Sequence, residues 1–408
     1  MTTPVETAER NPYATLSLVC LAVVLSMTGW FSATAITPEL TQIWALSAAE
    51  AAWLTNGVQI GFVTGALLSS LVNLPDIVRL NRLMAASAVL AALANAALLL
   101  EPTPTLAVLS RFATGVALAG VYPPAMKLTA TWFMKGRGLA LGFVIAALTA
   151  GSSMPHLMRA LTQSLDWRAV VAGASLATLS GALIFLLFVR EGPHPFSRAV
   201  FRLGQIGVVL RDRSLLLVNL GYFGHMWELY AMWAWLLTYL RAAASAETLS
   251  LGSISLLTFS AIAAGVFGCV AGGVLSDRFG RTATTAGMMA VSGLCALLVG
   301  FAFDGPGWLL AVIVIIWGIS IIGDSAQFSA AVTELSDSRY VGTALSLQMA
   351  IGFALTVASI WLMPRMADLL GGWPWTFLAL VPGPLVGALA MLWLRHRPEA
   401  TRLAGGRR

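Results

Sequence analysis

Twelve apolar runs of bilayer length dominate the chain and leave it few ways to fold. They cover residues 13–36, 51–73, 81–100, 104–127, 138–158, 168–190, 214–240, 250–275, 282–303, 307–329, 341–363 and 374–395. About 20 helical residues cross a hydrocarbon core roughly 30 Å thick. Backbone polar groups in lipid must be bonded within the protein, so each run is expected to be a helix. A membrane barrel would instead show short alternating segments. The breaks carry proline, glycine or charge, as in Glu101-Pro102-Thr103-Pro104, Asp304-Gly305-Pro306-Gly307 and Gly371-Gly372-Trp373-Pro374. Only 10% of the 408 residues are charged and 58% are hydrophobic, whereas a soluble domain is charged at about a quarter of its positions. Too little polar chain remains for a soluble catalytic or nucleic-acid-binding domain. Cys20, Cys269 and Cys295 lie in apolar runs without metal-type spacing, so no metal, cofactor or disulfide framework is expected. The start, MTTPVETAERNPY, lacks the basic opening and cleavage site of a signal peptide.

The cations give the chain a sidedness. With an even number of crossings both ends share a side, and 19 of the 24 Lys and Arg fall there, Arg10, Lys135, Arg198 and Arg202 among them. That bias places both termini in the cytoplasm of a plasma (inner) membrane protein. The one sizeable linker, 191–213, divides the chain into six-helix halves, 1–190 and 214–408. The halves match at an offset of 204 residues: Gly138-x-Ala140-Leu141-Gly142 falls on Gly342-x-Ala344-Leu345-Ser346, and Asn73 on Asp277. The expected fold class is therefore an all-α membrane protein with two pseudo-symmetric six-helix bundles. Parallel repeats of this kind build transporters with a midplane site between them.

The loop after the eighth run reads Gly273-Val-Leu-Ser-Asp277-Arg278-Phe-Gly280-Arg281. It resembles the Gly-x-x-x-Asp-Arg-x-Gly-Arg signature of the major facilitator superfamily, and twelve spans with a 6+6 repeat extend the resemblance over the whole chain. The resemblance implies that Gly273, Asp277, Arg278, Gly280 and Arg281 form a conformational latch rather than a substrate site. The corresponding first-half loop, Ser69 to Arg82, keeps only Asp76, Arg79 and Arg82 of such a pattern. Arg111-Phe-Ala-Thr-Gly115 resembles the family's Arg-x-x-x-Gly element, implicated in proton coupling. Gly142-x8-Gly151-x3-Pro155-His156 keeps only the first part of the drug–proton antiporter element. Trp132-Phe133-x-x-x-Arg137-Gly138-x-Ala140-x-Gly142 is similar to the helix 4–5 loop of members that carry small anions such as nitrate/nitrite, oxalate and cyanate.

Ionisable residues at bilayer depth are costly and are functional candidates by default. Here they are Arg111, His225, Glu228 and Asp324, with His156 nearer one end of its span. The family architecture implies that helices 1, 4, 7 and 10 line a central cavity, and these residues fall on helices 4, 7 and 10. His225 and Glu228, three apart, share a helical face with Tyr222 one turn back. They are read as a proton-handling pair, or else as a static hydrogen bond between helices. Arg111 offers five donors in a planar fork, for an anionic substrate or for permanent bonds to Glu228, Asp324 or carbonyls. Asp324 is a proton-coupling candidate or an interhelical hydrogen-bonding group. The expected substrate-binding set is Arg111, Trp30, Tyr222, His225, Trp227 and Gln327, with Glu228, His225 and Asp324 coupling protons.

No Walker-type loop is present to support direct ATP drive. The expected function is secondary active transport by alternating access: proton-coupled uptake of a small organic or inorganic anion. The alternative is proton-coupled efflux of a drug or hydrophobic metabolite. An enzyme is not expected. The expected partners are the anionic substrate, protons and the lipid bilayer, without nucleic acid, and a monomer suffices.

Overall fold

The computed structural model describes residues 11–133, 136–162, 164–194, 203–243, 251–337 and 339–408. Arg10, Lys135, Arg198 and Arg202 of the charge reading lie outside these residues. Among the described residues every regular element is helical. Twelve spans follow one another: α1 (Pro12–Met27), α2 (Ala48–Leu71), α3 (Leu80–Ala96), α4 (Pro104–Leu118, continued by Tyr122–Ala130), α5 (Arg137–Leu161) and α6 (Arg168–Leu187), then α7 (Arg213–Ala242), α8 (Leu251–Phe279), α9 (Arg281–Leu298), α10 (Gly307–Gly323, continued by Ser325–Leu335), α11 (Val341–Leu369) and α12 (Pro382–Arg395).

Ten of these spans are long and apolar enough to cross a membrane. Of the other two, the first departs from the sequence expectation, and the seventh is a continuous helix of lower hydropathy. The first run, expected as one helix over 13–36, stops at Met27; residues 28–33 leave the helix, and the short pieces Thr34–Ile36 and Thr37–Ile43 follow. Gly29 lies in the unwound stretch. α7 has 30 residues, but Asn219, Tyr222, His225 and Glu228 interrupt its apolar character.

The repeat is visible in the backbone. α4 and α10 are broken at Gly120 and Asp324, which are 204 positions apart. Pro123 and Pro124, which lack an N–H to donate, follow the first break. Gly323 precedes the second.

Small residues set the helix packing, as expected where lipid supplies no hydrophobic drive between helices. A Cβ on Gly61 or Gly65 of α2 would overlap the carbonyl oxygen of Phe112 or crowd that of Val116 on α4. In the second half, Gly268 and Gly272 of α8 meet the carbonyls of Ile319 and Gly323, and Gly318 of α10 meets that of Ala261. A Gly318→Ala substitution is therefore expected to cost about 1–3 kcal/mol through overpacking. Gly287→Ala, where a Cβ would meet nothing within 4 Å, should be near neutral. Melting temperatures of the two variants in detergent check this.

Contacts between the first six and last six spans run mainly along α5 with α8 and α2 with α11. Asn56 on α2 donates from Nδ2 to the carbonyl of Val357 on α11 at 3.3 Å. These two seams leave α1 and α7 to face each other across the middle of the bundle, where Trp30 stacks on Tyr230.

Candidate functional site

The middle of α7 brings three titratable groups into the protein interior. His225 and Glu228 share a face, yet they bond in different directions. His225 Nδ1 lies 2.8 Å from Asp324 Oδ1, at the α10 break. The N-terminus of the second piece of α10 favours a negative charge at that position. Glu228 accepts from Trp317 Nε1 through Oε1 at 2.7 Å and from Ser292 Oγ through Oε2 at 2.9 Å. All three side chains are at most 2% exposed. Among the described residues no cationic nitrogen lies within ion-pair distance of Glu228. A carboxylate there is a buried charge held only by neutral donors, which is costly unless a proton or another ion joins it.

Arg111 is fully buried on α4 and belongs to a separate network. One terminal nitrogen donates to Asn95 Oδ1 at 2.6 Å and Ser32 Oγ at 3.3 Å. The other donates to the carbonyls of Gly29 at 2.8 Å and Trp30 at 2.5 Å. Those two carbonyls are available because α1 has unwound. A broken helix is tolerated in a membrane when its freed groups find other partners. Asn95 Nδ2 extends the network to Ser175 Oγ at 2.9 Å. Of the guanidinium's five donors, only Nε lacks a partner. Neither Glu228 nor Asp324 is bonded to it.

Between these networks lies an aromatic partition. Trp30 packs on Phe62, Tyr230 and Phe353 with ring centroids 4.8, 5.9 and 6.1 Å apart, and Tyr230 meets Trp233 at 5.5 Å. The partition joins α1 and α2 to α7 and α11. Two buried indole nitrogens of this partition, Trp30 Nε1 and Trp233 Nε1, have no partner, and neither do the side-chain polar atoms of Gln59 on α2 or the ring nitrogens of His156 on α5. Buried polar atoms normally find partners, so the two unpaired indoles mark a place where something polar can bind. On the side of the chain ends, Phe62 and Phe353 floor a cleft of about 90 Å³ that Ser70, Pro75, Pro124 and Ser346 also line.

The remaining predicted residues lie elsewhere. Tyr222 is beside His225 and Phe328, with centroids 6.1 and 6.0 Å away. Trp227 faces α12, donating to the carbonyl of Ala379 at 2.9 Å. Gln327 accepts from Arg281 at 2.7 Å. Arg281 also grips Glu334 with two nitrogens, at 2.7 and 2.5 Å, so it ties the α8–α9 loop to the second piece of α10. Asp277 and Arg278 of the same motif are exposed. Gly280 has φ +91°, and a Cβ there would overlap the carbonyls of Arg407 and Arg408. Gly273 has open space around it. In the first half, Asp76 pairs with Lys127 at 2.6 Å, an analogous tie from the α2–α3 loop to the second piece of α4. Sequence reasoning missed Asn95, Ser292, Lys127 and Glu334. Asn95 had a signal, as an amide deep in an Ala/Leu-rich span.

The family model described as "Major Facilitator Superfamily" matches residues 19–360. Among curated proteins, the chain is 28% identical over 189 residues to a probable sulfoacetate transporter of Cupriavidus necator, covering 42% of this chain and 43% of that one. It is 29% identical over 141 residues to a 3-(3-hydroxy-phenyl)propionate transporter of Escherichia coli, covering 34% and 33%. A probable L-galactonate transporter of Escherichia coli is 25% identical, with 39% of each chain covered. The matching segments thus span less than half the length of these relatives. Among solved structures, a D-xylose-proton symporter matches with TM-score 0.73 at 16% identity, over 96% of this chain and 99% of that one. A bacterial homologue of the human lysosomal transporter Spinster, inward-facing and unoccupied, matches with TM-score 0.70 at 14% identity, over 95% of each. At such identities these two likenesses concern the fold.

Proposed function

The chain belongs to the major facilitator superfamily, and we propose that it takes up a small organic anion together with a proton by alternating access. The observation that carries this reading is Glu228, buried between neutral donors one turn from the His225–Asp324 pair. A proton on Glu228 removes the cost of a bare buried carboxylate, and opening the site to water supplies that compensation instead. Proton binding and conformation are thereby linked, which is the requirement for coupling. No metal or nucleotide chemistry enters the scheme.

The substrate would sit against the aromatic partition, where Trp30 and Trp233 offer unused N–H donors. Neutral N–H donors suit a carboxylate or sulfonate that moves with its proton, because the pair crosses without net charge. Aromatic faces suit the organic body. The names of the three curated relatives, a sulfoacetate, a phenylpropionate and a galactonate transporter, all denote organic acids. The distribution of basic residues supports an inner-membrane protein with both termini in the cytoplasm, and the cleft on the terminal side would then open inward. The halves 1–190 and 214–408 would rock about the partition, joined by linker 191–213, and one copy suffices.

Proteoliposomes containing the pure protein test the reading. An inward proton gradient should drive accumulation of at least one labelled carboxylate or sulfonate, and collapsing the gradient with an ionophore should end it. Gradient-independent equilibration of every transported acid would refute the coupling.

A further inference from the structure

On the terminal face, the start of α7, the end of α10 and the C-terminal segment meet around a cleft of about 350 Å³. Arg211 and Arg213 form one wall, Leu335 lies at the end of α10, and Arg397 and Arg402 form the other wall. Two carboxylates are present, and both are committed. Asp212 Oδ1 accepts from the backbone N–H groups of Ser214 at 2.8 Å and Leu215 at 3.0 Å, capping α7. Glu399 accepts from Arg397 at 3.1 and 3.2 Å, and that guanidinium, with Arg402 nearby, holds the Glu399 carboxyl below its ordinary range. Arg211 and Arg213 therefore face the cleft without an acidic partner among the described residues, and Arg402 shares only Glu399, which Arg397 already holds. The positive end of the 30-residue α7 dipole points to the same place.

Depth identifies the ligand class. α7 begins at Arg213, α10 ends at Leu335 and α12 ends at Arg395, so the cleft lies where the hydrocarbon stops and headgroups begin. Guanidinium forks bind phosphate oxygens in pairs. We propose that the cleft binds a phosphate-bearing anion, which at this depth is the headgroup of an anionic phospholipid. Its walls connect α7, which carries His225 and Glu228, with the second piece of α10, which begins beside Asp324. The C-terminal segment joins them, as the Ala404 N–H donates to Glu334 at 3.0 Å. An occupied cleft would brace these segments in the conformation described here.

The test uses the full chain in nanodiscs of phosphatidylcholine with or without phosphatidylglycerol, and in detergent with or without inorganic phosphate. Retained lipid is read by native mass spectrometry and stability by melting temperature. The wild-type protein should retain phosphatidylglycerol and melt higher with it. An Arg211→Gln, Arg213→Gln, Arg402→Gln triple should lose that retention about a hundredfold, at about 1 kcal/mol per surface arginine, and melt like wild type in phosphatidylcholine. Arg79→Gln, Arg82→Gln, Arg339→Gln on the same face should retain the lipid. A stabilisation by inorganic phosphate that the first triple abolishes would support the site with a free anion as its source. Equal retention and equal melting in wild type and first triple, or an equal loss in the control triple, would overturn it. If the first triple melts low in phosphatidylcholine, the single Arg213→Gln change decides by its retained lipid.

Discussion

Glu228→Gln is expected to abolish proton-driven accumulation while leaving a folded protein that still exchanges substrate across the membrane. Glutamine has the size of glutamic acid, and its carbonyl can keep the Trp317 Nε1 bond. Its amide can donate to Ser292 Oγ, which the carboxylate now accepts from. The neighbourhood is thus preserved and only the titrating proton is removed. A gradient of one pH unit is worth about 1.4 kcal/mol per proton, or about tenfold accumulation. That ratio should fall to one in the variant, with counterflow of labelled against unlabelled acid retained. Accumulation at the wild-type ratio would remove Glu228 from the coupling step. Asp324→Asn provides a contrast, because it removes the negative charge that faces His225 and is expected to alter both accumulation and counterflow.

What the sequence made legible and what it hid follow from two kinds of interaction. The spans, their repeat and the buried ionisable residues were readable because lipid penalises any departure from apolar helix. His225, Glu228 and Asp324 stood out for that reason alone. Their pairing was not readable, since it depends on where a neighbouring helix breaks. The sequence placed His225 and Glu228 side by side on one face, yet the α10 break at Asp324 gives His225 a partner on another helix. Glu228 turns instead to Trp317 and Ser292, which carry no charge to mark them. The loop motif shows the same division. Arg281 was legible as part of a signature loop, but its partner Glu334 lies 53 positions away. The first-half loop had lost the signature pattern, and the tie survives through Asp76 and Lys127. Gln327, expected at the substrate, is drawn into the Arg281 contact because the second piece of α10 descends from the break beside it.

Arg111 was legible as a buried cation but not in its task, because the sequence showed 13–36 as one apolar run. The unwinding after Met27 frees the carbonyls of Gly29 and Trp30, and Arg111 answers both while holding Ser32 and Asn95. Arg111→Ala is therefore expected to lose about 3 kcal/mol or more of stability without any substrate present. Each hydrogen bond to a charged group contributes about 1.5–3 kcal/mol, and acceptors left buried without a donor add their own cost. Arg111→Lys should recover little of this, since one ammonium cannot span two carbonyls and two side chains in a planar fork. Asn95→Ala should be costly too, and the double variant less so than the sum, because both changes break one network. Melting in detergent, in the absence of any acid, separates this role from substrate contact. A ligand-binding arginine would leave the melting temperature of the empty protein unchanged in Arg111→Lys and raise only the KM for uptake, and that outcome would return Arg111 to the substrate.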